Sequence, residues 1–154
     1  MAKRPFIILS IGRFGTDPSR ALFDHYAKRT RPPLKLVEVV PRKKLSGERL
    51  KEEEGRLLLA AAPKDAALVA LDGRGKMLSS EALARQIAAF GEEGGDLAFA
   101  IGGADGLSAP VRRAARLTLS LGPMTWPHLL VRVLLAEQLY RAQMILAGHP
   151  YHRG

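Results

Sequence analysis

The chain has 154 residues and carries 24 Lys and Arg against 15 Asp and Glu, a formal charge of +9. That length suits one domain with a real core and leaves no room for a separate recognition domain, and a 47% hydrophobic, 6% aromatic composition is neither that of a disordered chain nor that of a membrane protein. The sequence contains no cysteine, which excludes disulfides, thiolate nucleophiles and cysteine-based zinc or iron–sulfur sites.

Short apolar runs at residues 6–11, 34–40, 66–71, 97–101 and 117–121, bounded by Gly, Pro or charged residues, predict buried strands. Segments with helical spacing lie between them. In the first, Asp17 is a predicted N-cap with Pro18 at the first helical position, and Leu22, Phe23 and Tyr26 form the apolar stripe. The second spans residues 46–62, with Glu52, Glu53 and Glu54 expected to face water while Leu57, Leu58 and Leu59 turn inward. The third starts at Ser79 or Ser80 and carries Leu83, Ile87 and Phe90 on one face, and a shorter one follows Ser108 with Pro110 in its first turn. A last helix runs over residues 127–147. Strands alternating with helices predict a single α/β domain over residues 1–154, a mainly parallel sheet with helices on both faces.

Ligands of such sheets gather at the carboxyl ends of strands. Three Gly- or Pro-rich loops stand there: Leu71-Asp72-Gly73-Arg74-Gly75-Lys76, Ile101-Gly102-Gly103-Ala104-Asp105-Gly106-Leu107 and Leu121-Gly122-Pro123-Met124-Thr125-Trp126-Pro127. Neither common nucleotide signature fits them. Read back from Gly75-Lys76, a P-loop would need Gly at Ala70 and a hydroxyl at Met77, and the first turn, Gly12-Arg13-Phe14-Gly15, lacks the dinucleotide spacing. The loops offer backbone and apolar surface more than fixed cations, which suits an adenosine with a thioether or sulfonium arm better than a triphosphate.

The last helix is apolar on nearly every face, through Leu129, Leu130, Val131, Val133, Leu134, Leu135, Leu139, Met144, Ile145 and Leu146. Cover on more than one side is needed, so a homodimer is expected, the alternative being a central helix in a monomer. His128 and Arg132 share one face of it, and Glu137 and Arg141 form an i,i+4 pair on the other. The tail Gly148-His149-Pro150-Tyr151-His152-Arg153-Gly154 suits stacking on bases and pairing with phosphate better than it suits a metal, because His149 and His152 have no third ligand near in sequence.

Taken together, Ile101 to Leu107, the run Leu119-Ser120-Leu121-Gly122-Pro123-Met124-Thr125-Trp126-Pro127-His128, Arg132, Glu137-Gln138-Leu139-Tyr140-Arg141-Ala142 and the closing Pro150-Tyr151-His152-Arg153 closely resemble the ribosomal RNA large-subunit methyltransferase H family. These are small SPOUT-class enzymes that methylate N3 of a pseudouridine in large-subunit ribosomal RNA with S-adenosylmethionine. The resemblance spans the full length, with departures at Ala104-Asp105 and Gly122-Pro123. It implies a C-terminal trefoil knot and a homodimer with cofactor sites at the interface. It places S-adenosylmethionine against Leu71, Gly103, Leu121, Gly122, Pro123, Met124, Thr125 and Trp126. His128, Arg132, Glu137, Arg141, Tyr151, His152 and Arg153 would shape the RNA side of the cleft, the tail closing over the partner's cofactor. Among these, His128 is the candidate base, Arg141 and Arg153 are candidate cations for the developing anion, and Tyr151 completes the catalytic set, with no metal required. Two other readings stay open: a SPOUT methyltransferase for another ribosomal or transfer RNA position, and a non-catalytic ribosome- or RNA-binding protein.

The charge is uneven. Residues 1–56 hold 14 basic and 7 acidic side chains, a net +7, and residues 57–154 hold 10 and 8, a net +2. A cationic third of this kind attracts polyanions by counterion release, and it precedes every proposed cofactor loop. With the resemblance, the expected partner is large-subunit ribosomal RNA, on an assembled ribosome, docked through the N-terminal third. With no membrane segment and no export signal after Met1-Ala2-Lys3-Arg4-Pro5, a cytoplasmic location is expected.

Overall fold

A computed structural model describes residues 4–153, so Met1, Ala2 and Lys3 of the segment read for export signals, and Gly154 of the tail, lie outside the described residues. The elements alternate strictly: β1 (Phe6–Ile11), α1 (Ser19–Ala27), β2 (Lys35–Val39), α2 (Gly47–Ala61), β3 (Ala67–Met77), α3 (Ser80–Glu93), β4 (Leu97–Ile101), α4 (Ala109–Ala114), β5 (Leu117–Ser120) and α5 (His128–Leu146). All strand pairs are parallel, in the order β2-β1-β4-β3-β5. This is the expected sheet, and its central strands β1 and β4 are buried along their whole length.

Period-two alternation explains why those strands are apolar throughout. Phe6, Ile8, Val69, Leu71, Phe99 and Ile101 point to one layer, where Phe23 of α1, Leu83 and Ile87 of α3, and Val133, Leu135 and Leu139 of α5 meet them. Ile7, Leu9, Leu68, Ala70, Ala98 and Ala100 point to the other, against Leu58 of α2 and Val111 of α4.

Three expectations need correction. First, the strand expected to end at Leu71 continues to Met77. Leu71 and Lys76 both pair with Leu119, so Asp72, Gly73, Arg74 and Gly75 form a bulge in a strand instead of an open βα loop. Second, α1 begins at Ser19 with Pro18 in the capping position, one residue later than expected. Asp17 still satisfies the helix end, accepting from Ser19 N–H at 2.9 Å, and these hydrogen bonds to Ser19 hold its carboxyl below the usual range. Third, Glu54 does not face water. It is 7% exposed, whereas Glu52 is exposed.

The cover for α5 comes largely from its own chain. It packs between α1 and α3 and lies over β1 and β4, which buries Val133, Leu135, Ala136, Leu139 and Ala142 and half-buries Leu129, Leu130, Val131 and Ile145. The all-round apolarity of this helix is thus explained mostly inside one chain, and it carries less weight for a dimer than the sequence suggested.

Candidate active site

Strands β4, β3 and β5 are neighbours in the sheet. β3 pairs with β4 only as far as Ala70, opposite Ala100, so the Gly102–Gly106 turn follows the end of β4 next to Leu71 and the bulge inside β3, and residues 121–126 follow the end of β5. Leu71 is buried, Gly103, Leu121 and Gly122 are half-buried, and Pro123, Met124, Thr125 and Trp126 are exposed. The turn is closed by Gly106 N–H donating to the Gly103 carbonyl at 3.0 Å. Residues 121–126 are folded by Gly122 N–H donating to Ser120 Oγ at 3.1 Å and by the Trp126 indole N–H reaching the Leu121 carbonyl at 3.4 Å. The cradle joins the buried Leu71 to backbone polar groups, and its bulge carries Arg74, held by Asp72, with Lys76 exposed beside it.

His128 opens α5 immediately beyond this loop. It is exposed and stands over Gly12 at the end of β1. One turn further on, Arg132 is completely buried. Its Nε donates to Ser10 Oγ at 2.8 Å, Nη1 to Glu38 Oε2 at 2.7 Å, and Nη2 to the carbonyls of Ile11 and Gly12 at 3.1 and 2.9 Å. The guanidinium also lies 4.5 Å from the Phe14 ring centroid. Arg132 therefore does not shape an RNA-facing cleft as expected. It clamps the start of α5 to the end of β1 and so fixes where His128 stands.

The remaining candidates form a second group. Arg141 Nη2 donates to Glu137 Oε2 at 2.8 Å, so the expected i,i+4 pair is present. Tyr151 donates to the same carboxylate at 2.6 Å and lies under the Arg141 guanidinium, 4.8 Å from its ring centroid. Burial, with Glu137 beside it, pushes the Tyr151 hydroxyl far above its ordinary range, so it keeps the proton it donates to Glu137. Arg141 Nη1 faces His152 Nδ1 at 3.0 Å. A guanidinium can only donate, so Nδ1 accepts and His152 Nε2–H donates to Glu81 Oε2, also at 3.0 Å. That contact with His152 draws the Glu81 carboxyl down. The tail is thus seated on α5 and α3 of its own chain, with Arg153 exposed beyond it. Among the described residues no cluster of three metal-ligating side chains exists.

Sequence reasoning missed Glu54 and Ser108. Glu54 sits in an acidic run that reads as a solvated face. One signal was present, because Gly55 in mid-helix is costly and marks close packing: a Cβ there would overlap Ser108 Oγ. That hydroxyl is buried and has no hydrogen-bond partner among the described residues.

The fold corresponds to that of known proteins. Residues 5–152 match the family model described as "Predicted SPOUT methyltransferase". The fold is shared with a probable methylase family protein from Haemophilus influenzae Rd KW20 (TM-score 0.55, 14% identity, covering 97% of this chain and 70% of that one). It is shared equally with TrmJ from Z. mobilis ZM4 (TM-score 0.55, 21% identity, 91% and 70% covered). The chain belongs to the SPOUT methyltransferase family. Within that class it is 57% identical over 147 residues to the ribosomal RNA large subunit methyltransferase H of Rhodospirillum centenum, covering 95% of this chain and 97% of that protein. To the protein of the same name from Paramagnetospirillum magneticum it is 48% identical over 148 residues, covering 96% and 97%.

Proposed function

We propose that the protein is an S-adenosylmethionine-dependent methyltransferase acting on N3 of a pseudouridine in large-subunit ribosomal RNA, on the assembled ribosome and in the cytoplasm. The observation that carries this reading is the cradle formed by the turn after β4, the bulge inside β3 and the loop after β5, on three neighbouring strands. It lies in a chain that shares nearly its full length with proteins named for large-subunit ribosomal RNA methylation. A solved neighbour of the same fold, Lpg2936 from Legionella pneumophila, holds S-adenosylmethionine (TM-score 0.50, 12% identity, 90% of this chain and 66% of that one).

Gly103, Leu71 and the 121–126 loop would hold the cofactor, which when bound supplies a methyl group on a sulfonium. The target nitrogen must lose its N3 proton, and His128, exposed beside that loop, would accept it. Arg141 and Arg153 would face the anion that develops. His128 and Arg141 are thirteen residues apart on one helix, roughly 20 Å along its axis, too far for both to reach one base from the same chain. This separation supports a homodimer in which the tail group of one chain serves the cradle of the other. Met77, which pairs with Ser120, and Met124 are 71% and 72% exposed beside the cradle, as an uncovered interface would be. The return of the chain from edge strand β5 to α5 over β1 is consistent with the trefoil-knotted threading implied for the C-terminal part.

Mass spectrometry of large-subunit RNA from cells lacking the protein is expected to show one methylpseudouridine lost and restored by re-expression. Loss of a methyl group at another ribosomal or transfer RNA position would replace this substrate, and failure to bind S-adenosylmethionine in calorimetry would favour a non-catalytic RNA-binding role. His128→Ala is expected to slow single-turnover methylation about 100-fold at saturating substrate, and a wild-type rate would remove the base assignment. Arg42, Lys43 and Lys44 are all exposed between β2 and α2. Reversing their charges is expected to weaken ribosome binding and flatten its salt dependence while leaving cofactor affinity unchanged. Calorimetry showing lost cofactor binding in that variant would contradict the separation of docking surface from cradle.

A further inference from the structure

Most carboxylates that are removed from water in this chain meet a cation: Glu38 has Arg132, Asp72 has Arg74, Glu53 has Arg56 and Glu137 has Arg141. Glu54 is the exception. Only 7% exposed on α2, it makes no side-chain hydrogen bond or ion pair among the described residues, in a protein whose net charge is +9. It lies directly under the Gly102–Gly106 turn, where a Cβ on Gly103 would come within 2.8 and 3.1 Å of its two carboxylate oxygens. The charged groups nearby do not relieve it. Asp105 on the turn carries the same sign, Arg112 of α4 donates to the Leu107 carbonyl, and Arg74 is bonded to Asp72. Burial and then Asp105 push the Glu54 carboxyl above its usual range, as expected for an acid with nothing to balance it. The carboxylate oxygens keep an edge of solvent contact, and a carboxylate so largely shielded with no cation beside it would gain from an arriving positive charge.

We propose that Glu54 is a specificity residue of the cofactor site, its carboxylate favouring the cationic methyl donor over the demethylated product. This rests on the S-adenosylmethionine reading above. The donor carries a positive sulfonium, whereas S-adenosylhomocysteine has a neutral thioether and nearly the same shape. A shape-based cradle of Gly, Leu and backbone groups cannot separate the two well, but a negative charge behind Gly103 can. The preference helps product leave before the next donor binds.

The test is calorimetry with S-adenosylmethionine and S-adenosylhomocysteine on the wild-type protein and on Glu54→Gln, which keeps the shape and removes the charge. Glu54→Met, neutral and of similar volume, gives the same comparison if the Gln variant does not fold. The expected result is a loss of donor affinity on the order of fivefold with product affinity unchanged, so that the ratio of the two dissociation constants shifts by the same factor. Sinefungin, which has an ammonium group near the sulfonium position, should weaken with the donor. Equal weakening of donor and product would make Glu54 a support for the turn alone, and no change in either would give it no part in binding; both outcomes overturn the proposal. If the wild-type protein binds neither compound, the cofactor reading itself fails, a result distinct from a wild-type protein that binds both and a variant that keeps their ratio.

Discussion

Arg132→Met is expected to destabilise the fold by about 3–5 kcal/mol in urea denaturation, the largest effect of any single substitution considered. The methionine fills much of the same volume, so the loss reports the guanidinium and not a cavity. Removing it strands Ser10 Oγ and the carbonyls of Ile11 and Gly12, now bonded within 3.1 Å, and leaves Glu38 Oε2 with only the Phe14 N–H. Arg132→Lys should recover only part of the loss, because one ammonium cannot meet four acceptors spread over a planar fork. Glu38→Gln should cost less than Arg132→Met, since its carboxylate retains partial solvent access at 24% exposure. The double variant should fall short of the sum of the two single losses. Loss of less than about 1 kcal/mol in Arg132→Met would show that water replaces the guanidinium and that the start of α5 is not clamped.

Glu38 adds a pH signature to the same network. Burial raises its carboxyl, but the hydrogen bonds from the Arg132 guanidinium and from Phe14 N–H outweigh burial, and the net shift is downward from 4.5. A depressed folded-state value means stability that is complete above the unfolded value near 4.5 and is lost as pH falls through the folded one. Wild-type stability should therefore decline more steeply than that of Glu38→Gln between about pH 5 and pH 2.

The Arg132 clamp also shows where sequence reading stops. Helix and strand order and sheet type were legible because hydrophobic period and the Gly- and Pro-rich breaks between elements are local signals. Whether a charged side chain points inward is decided by acceptors far away in the chain: Ser10 and Glu38 are 122 and 94 residues from Arg132. Glu54 was misplaced for the same reason, since the turn above it is contributed by residues some fifty positions later. The bulge in β3 was hidden because Gly73 and Gly75 signal a loop equally well, and only pairing with Leu119 on both sides of them distinguishes the two. The cover on α5 is also non-local: helices α1 and α3 and strands β1 and β4 of its own chain meet it, so a helix that looked in need of a partner is mostly satisfied without one.

Gly102→Ala is expected to weaken S-adenosylmethionine binding by at least about thirtyfold, near 2 kcal/mol, in a chain that still folds. The added Cβ would sit 2.6 Å from the Gly106 carbonyl oxygen and 3.1 Å from Leu107 Cδ2. The first neighbour is backbone and cannot rotate away, so the turn has to open. Opening it breaks the 3.0 Å hydrogen bond from Gly106 N–H to the Gly103 carbonyl and carries Gly103 away from its place beside Leu71 and the 121–126 loop. The sheet beneath is unaffected, because Ile101 and the rest of β4 pair with β1 and β3 on their own account. Overpacking confined to one turn should therefore cost only about 1–3 kcal/mol of stability, separable from the binding loss by denaturation of the free protein. Unchanged affinity in the folded variant would move the cofactor off this turn, and with it both the methyl-transfer reading of the cradle and the role assigned to Glu54 beneath it.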